Sequence, residues 1–215
     1  MTADIPESST QPTSAERIAA QLRALIVRGE IAGGAALRQD HIAERFASSH
    51  VPVREAFQRL EAQGLVVTLP RRGVRVTILS PAAIKEAMEM RAVLEVLALR
   101  HSAPNLTTAD IDRLEQTQAQ CAAATSLADW DTANCAFHEA MVSACGMPRL
   151  LDVLQQLQLT NSRYLFAAGL VRGWQPRSDQ DHRLIIEALK EKNVERAVQL
   201  LGRHIGTMER VGFAQ

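Results

Sequence analysis

The chain has little that would make it secreted, membrane-bound or uniformly basic. Its three cysteines, Cys121, Cys135 and Cys145, are odd in number and show no CxxC spacing. They read as reduced, mostly buried thiols of a cytoplasmic protein. Nearly half of the 215 residues are apolar, yet no apolar run approaches the ~20 residues needed to cross a bilayer. The opening MTADIPESSTQPTS has neither a basic n-region nor an apolar h-region, so no signal peptide is expected, and residues 1–12 read as a mobile tail. Net charge is zero. That would argue weakly against a nucleic-acid partner, but the charge is unevenly spread. From Arg38 to Arg75 there are seven arginines against four acids, an excess of +3, whereas from Ser80 onward 14 basic residues face 16 acidic ones. Phosphate contacts need local positive charge, not a basic whole.

The local excess coincides with the most informative stretch, Arg38 to Val76. Ile42, Ala43 and Phe46 recur at helical spacing, SSHVP breaks the pattern, and Val53, Ala56, Phe57 and Leu60 restart it until Gly64. Leu65–Val67 and Val74–Val76 then flank the turn Pro70-Arg71-Arg72-Gly73. Two short helices followed by a basic-tipped hairpin predict a winged helix-turn-helix. Thr13 or Ser14 caps an earlier helix carrying Ile18, Leu22, Leu25 and Ile26, which Gly29 and Gly33-Gly34 end. The second helix of the motif should run from near Pro52 to about Gln63, with its N-terminal end toward the bases. His50, Val51 and Arg54 are therefore candidate base contacts, and Arg59 is less well placed. Arg38 precedes the motif and suits a phosphate. Arg71 and Arg72 sit at the wing tip, where Gly73 permits a positive φ. The plainer reading makes these arginines ordinary solvated side chains. The winged pattern gathers them on one side, which favours the DNA-contact reading.

Ser80-Pro81 marks a boundary between residues 13–79 and 80–215, with Ser as N-cap and Pro in the first turn. Beyond it every strong period is helical, over roughly 81–102, 107–124, 127–145, 148–170, 178–191 and 194–211. The breaks come from Asn105-Leu106-Thr107, Gly146-Met147-Pro148, Gly173 and Asn193. The expected fold is mainly α: a winged helix-turn-helix with a small β-hairpin, then an antiparallel bundle of about six helices. Three histidines lie on apolar stripes of this half. Asn134 and His138 share a helix face, His182 precedes Ile185, Ile186 and Leu189, and His204 lies between Leu200-Leu201 and Met208. A lone histidine on such a face is usually a core residue bonded to a carbonyl. Three on separate interior stripes resemble the way bundles assemble metal sites. Arg91 lies four residues before Glu95, which alone implies no more than an exposed salt bridge.

VPVREAFQRLEAQGLV followed by PRRGVRV resembles the DNA-binding half of GntR-family bacterial repressors, over about Ser14 to Ile78. The family's Ser-Arg-Thr-Pro entry to the recognition helix is here Ser49-His50-Val51-Pro52, and its Ser-Glu is Gln39-Asp40. The departures fall where bases or phosphates are contacted, so they bear on operator choice. MRAVLEVLALR, NCAFHEAMVSACGMPRLL and DHRLIIEALKEKNVERAVQLLGRHI resemble the all-helical (FCD-type) effector domain of the FadR-like branch. That resemblance implies a divalent metal held by an Asp and a His at i,i+4 plus two later histidines. His138, His182 and His204 match the histidine positions, and Asn134 stands where Asp is common, a neutral and weaker donor. Asp131 is three residues from Asn134 on a shifted bearing and substitutes poorly. Three imidazoles suit Zn²⁺, with Ni²⁺ or Mn²⁺ as alternatives, and open positions would take water or an effector's oxygen. The resemblance also turns Arg91 toward the effector cavity, where it suits a carboxylate. Arg163 and Tyr164 are further candidates for that lining. The reading is a homodimeric regulator that binds an inverted-repeat operator and responds to a small organic acid. A metal-dependent hydrolase would want an acid placed as general base, and would leave the DNA-binding half unexplained. An architectural DNA-binding dimer would leave interior polar groups without purpose.

Overall fold

The computed structural model describes residues 11–172 and 179–213, and its chain divides into two compact units, Met1–Ile78 and Leu79–Gln215. The tail up to residue 10, the expected break at Gly173 and the side chain of Met208 lie outside the described residues.

In the first unit, helix α1 (Ser14–Val27) opens with a capping box. Thr13 accepts from the Glu16 N–H, and the Glu16 carboxylate accepts from the Thr13 N–H at 2.9 Å. Ile18, Leu22 and Ile26 of α1 are buried, and α1 lies against α3 (His50–Ala62), whose Val53, Ala56 and Leu60 are fully buried. Between them runs α2 (Gln39–Arg45). Helix α3 starts two residues earlier than the expected Pro52, because proline fits within the first helical turn, where its missing N–H costs nothing. Gly64 ends the helix with φ at 70°, and Leu65 N–H then bonds back to Leu60 O at 3.0 Å. Strands β2 (Val66–Leu69) and β3 (Gly73–Val76) form the expected hairpin. A third strand, β1 (Ala36–Leu37), pairs antiparallel with β3 and gives the order β1-β3-β2. Two residues carry too little alternation to announce a strand. At the wing tip Gly73 has φ 69°, as the turn requires, and Arg71 also has a positive φ of 59°, a conformation in which non-glycine residues are uncommon.

The second unit is all-helical. It comprises α4 (Pro81–Ser102), a 3₁₀ turn (Ala103–Asn105), α5 (Thr108–Ala123), α6 (Leu127–Val142), α7 (Pro148–Arg172), α8 (Asp179–Lys190) and α9 (Val194–Phe213). Ser80 caps α4 by accepting from Ala83 N–H at 3.1 Å, and Pro81 takes the first helical position. A capping box between Thr107 and Asp110 starts α5. Leu99, Leu114, Phe137, Met141, Ile185, Leu201 and Ile205 form the core. Helix α4 packs on α7 and α9, α5 on α6 and α8, and α8 on α9. Among the described residues no helix is long and apolar enough to cross a membrane.

Candidate functional site

The core of the second unit is interrupted by polar side chains. His138 on α6, His182 on α8 and His204 on α9 are each at most 3% exposed, and one ring nitrogen from each lies within 4.8 Å of the others. Ring centroids are 4.8 Å apart for His182 and His204, and 5.5 Å for His138 and His204. Phe137 stacks on His182 at 3.9 Å and fixes that ring's plane.

Every Nδ1 has an acceptor. His138 Nδ1 meets Glu95 Oε2 at 2.7 Å, His182 Nδ1 meets Gln118 Oε1 at 3.0 Å, and His204 Nδ1 meets Asp181 Oδ2 at 3.2 Å. These oxygens can only accept, so each Nδ1 carries the proton and each Nε2 keeps its lone pair. All three Nε2 atoms are buried without a hydrogen-bond partner. Leaving one such acceptor unmet costs about 1–3 kcal/mol. Three imidazoles with Nδ1 held from outside and Nε2 unmatched inside are a donor set that suits a divalent cation. The cation fits these residues. Asn134, one helical turn before His138, is fully buried, and neither its oxygen nor its nitrogen has a partner, as suits a fourth donor.

Glu95 and Arg91 are not the exposed pair that i,i+4 spacing alone implies. Both are buried, Arg91 at 1% exposure. Arg91 Nε donates to Glu95 Oε1 while both terminal guanidinium nitrogens are buried without partners. Burial pushes the Glu95 carboxyl up, but Arg91 and His138 beside it outweigh that and hold it at about 2. Burial pushes His138 down to about 4 despite Glu95, and pushes His182 down as well. The His138 and His182 imidazoles are thus neutral and free to coordinate over the physiological range. Asp131 is buried and accepts from Ser162 Oγ at 2.9 Å, and it stands outside the histidine cluster. Burial raises its carboxyl. A cavity of about 230 Å³ lies beside His138, lined among others by Glu95, Cys135, Val142, Leu154 and Gln158. That is room for a small ligand. Arg163 is buried and Tyr164 half-buried on α7. Gln118, Asp181 and the Glu95–His138 contact were not legible in the sequence, because each joins different helices.

In the first unit Arg38, Arg54, Arg72 and Gly73 line one groove between α2, α3 and the wing. His50, Val51 and Arg71 are exposed but do not line it; Val51 is 52% exposed at the start of α3. Arg59 is occupied by Glu16 of α1 at 3.1 Å. The Glu61 carboxylate accepts from Thr68 N–H at 2.7 Å and Thr68 Oγ1 at 2.9 Å, bracing the wing on α3. Glu61→Ala should free the wing and weaken binding of duplex DNA by about 1 kcal/mol, with the helical content unchanged. Fluorescence anisotropy with a labelled duplex measures it, and an unaltered affinity would show that the brace is idle.

Comparison with known proteins agrees with both units. Residues 14–76 match the family of bacterial regulatory proteins named for gntR, and residues 86–207 match the FCD domain. The HTH-type transcriptional regulator BphR of Paraburkholderia xenovorans is 30% identical over 198 residues, covering 86% of this chain and 79% of that protein. The HTH-type transcriptional repressor GlaR of Escherichia coli is 28% identical, covering 85% and 88%. The solved structure of E. coli McbR/YncC shares the fold, with a TM-score of 0.81 at 22% identity over 94% of this chain and 98% of that one. The chain belongs to the GntR family of bacterial transcriptional regulators and carries an FCD domain behind its winged helix.

Proposed function

We propose that this regulator is a homodimeric repressor released from an inverted-repeat operator by a small carboxylate bound at a metal in its helical unit. The observation that carries this reading is the set of three buried, unpartnered Nε2 atoms, each on a ring whose Nδ1 is held. Asn134, His138, His182 and His204 would hold the ion, with Zn²⁺ best suited to three imidazoles and Ni²⁺ or Mn²⁺ as alternatives. When bound there, the ion offers open positions to a ligand oxygen. Arg91 presents two unpartnered guanidinium nitrogens, the geometry that grips a carboxylate through paired hydrogen bonds. Arg163 and Tyr164 of α7 would add to the effector's surroundings, although neither lines the cavity beside His138. A hydrolase is not favoured. The Glu95 carboxylate already accepts from Arg91 and His138 and is held ionised, so it is a poor proton acceptor for water.

On the DNA side Arg38 and the wing arginines Arg71 and Arg72 follow the phosphates, while His50, Val51 and Arg54 approach the bases. Arg54→Ala should weaken specific binding by about 1–3 kcal/mol and relax the preference at one base position. Equal affinity of variant and native protein for the operator would remove Arg54 from the contacts. A carboxylate that binds the DNA-free state better shifts the population away from the operator by that difference in affinity. The test is operator binding by metal-loaded protein against a panel of small organic acids. If none changes the affinity, carboxylate release is wrong.

Acid should weaken the metal-free helical unit. The unfolded chain protonates His138 near its ordinary value of about 6.5, whereas the folded chain resists until about 4. Between those values the unfolded state binds more protons, so stability falls as pH drops from 6.5 toward 4. Thermal unfolding midpoints at pH 7.5 and pH 5 measure the slope, and equal midpoints would contradict a neutral buried His138.

A further inference from the structure

The cavity of about 230 Å³ beside His138 is walled by α4, α6 and α7, and its chemistry differs from that of the histidine cluster. Among the described residues neither Arg91 nor Asn134, His182 or His204 lines it, and no lysine or arginine does. Its two ends are unlike. At one, Gln158 Nε2 donates to Cys135 Sγ at 3.1 Å. At the other, Val142 packs with Leu151 and Leu154. Glu139, one helical turn after Cys135, stands exposed at the rim.

The orientation of the Gln158 amide is set by a chain of hydrogen bonds that leads away from the cavity. Ser162 Oγ donates to Asp131 Oδ1 at 2.9 Å. The serine oxygen is then left to accept from the Cys135 thiol, 3.6 Å away, and the sulfur in turn accepts from Gln158 Nε2. Every proton in this chain is directed toward Asp131, so the amide presents its oxygen at the opposite end. That oxygen, Oε1, is buried and has no partner. A buried acceptor left unmatched invites a donor.

We infer that this cavity is a second ligand site, separate from the histidine cluster, and that it takes a small amine with a compact apolar tail. The ammonium donates to Gln158 Oε1 beside the Glu139 carboxylate, and the tail lies against Val142 and Leu151. Glu95 takes no part in this recognition, because Arg91 and His138 already occupy it. A carboxylate is disfavoured, since it would set a second acceptor against Gln158 Oε1 and a like charge against Glu139. The inference goes beyond the carboxylate reading and does not need it, because that ligand is placed at the metal and on Arg91, outside this cavity.

The test is isothermal titration calorimetry of the full native chain with isopentylamine and with isovalerate, two probes of similar shape and opposite charge. The amine should bind about 10-fold or more tightly than the acid, the least that setting the wrong group against a buried acceptor costs. Repeating the titration with EDTA should leave the amine affinity unchanged. Gln158→Leu removes the acceptor and should weaken the amine by about 10-fold or more. Glu139→Lys changes an exposed side chain, so the protein should keep its circular dichroism spectrum while the amine binds more weakly and isovalerate more tightly. Equal affinity for the two probes, or no binding of the amine, overturns the site. Amine binding that neither substitution weakens overturns it too. Amine binding that disappears with EDTA would place the probe on the metal and overturn the separate site, leaving the carboxylate reading untouched.

Discussion

Replacing Arg91 with alanine should destabilise the helical unit by about 3–5 kcal/mol, the usual cost of removing one partner from a buried ion pair. Glu95 is 3% exposed; its charge is balanced by Arg91, and it accepts a hydrogen bond from the neutral His138 ring. Without the guanidinium, burial pushes the carboxyl toward its protonated form. A protonated Glu95 no longer orients His138 as firmly, so metal affinity should fall with stability. Removing both charges separates the effects. Arg91→Met with Glu95→Gln should recover much of the stability, since a neutral pair leaves no stranded charge. It should not recover any response to a carboxylate, because the paired donors are gone. Urea unfolding of single and double variants measures the first part. A loss below about 1 kcal/mol in Arg91→Ala would mean that the pair behaves as an exposed one.

The second large effect concerns the histidines. His182→Ala removes one of three imidazole donors and the ring stacked on Phe137 at 3.9 Å. Metal affinity should drop by more than the roughly 10–100-fold that loss of an outer hydrogen-bond partner costs, and Gln118→Ala should fall within that smaller range. The native protein should gain about 4 kcal/mol at a metal concentration 1,000 times its dissociation constant, and His182→Ala should lose nearly all of that gain. A core histidine would behave otherwise: the variant would lose packing energy and show no metal-dependent difference. Unfolding midpoints with and without added Zn²⁺ distinguish the two.

Much of this architecture is local in origin and therefore legible in the residues. Ser80-Pro81, Thr107 and the interrupted apolar period around SSHVP announce helix ends through short-range chemistry. The inward bearing of His138, His182 and His204 follows from the stripes they occupy, and all three are buried. What the spacing hides is the chemistry between helices. Gln118 reaches His182 across 64 positions and Glu95 reaches His138 across 43, and no periodicity within one helix encodes such pairs. Arg91 and Glu95 show the same limit from the other side. An i,i+4 pair looks alike on a solvated face and in a core, and only tertiary packing makes it a buried charge balance. The third strand is silent in the sequence for a different reason, since Ala36–Leu37 is too short to alternate and is held by its partner β3.

The most direct test of the central claim is the metal content of untagged protein purified without chelator. Close to one Zn²⁺, Ni²⁺ or Mn²⁺ per chain, lost in His182→Ala, is the expected result. A protein that carries no metal and takes up none when it is added would contradict the account. The three histidines would then be polar residues of the core, and Arg91 alone would remain to anchor an effector.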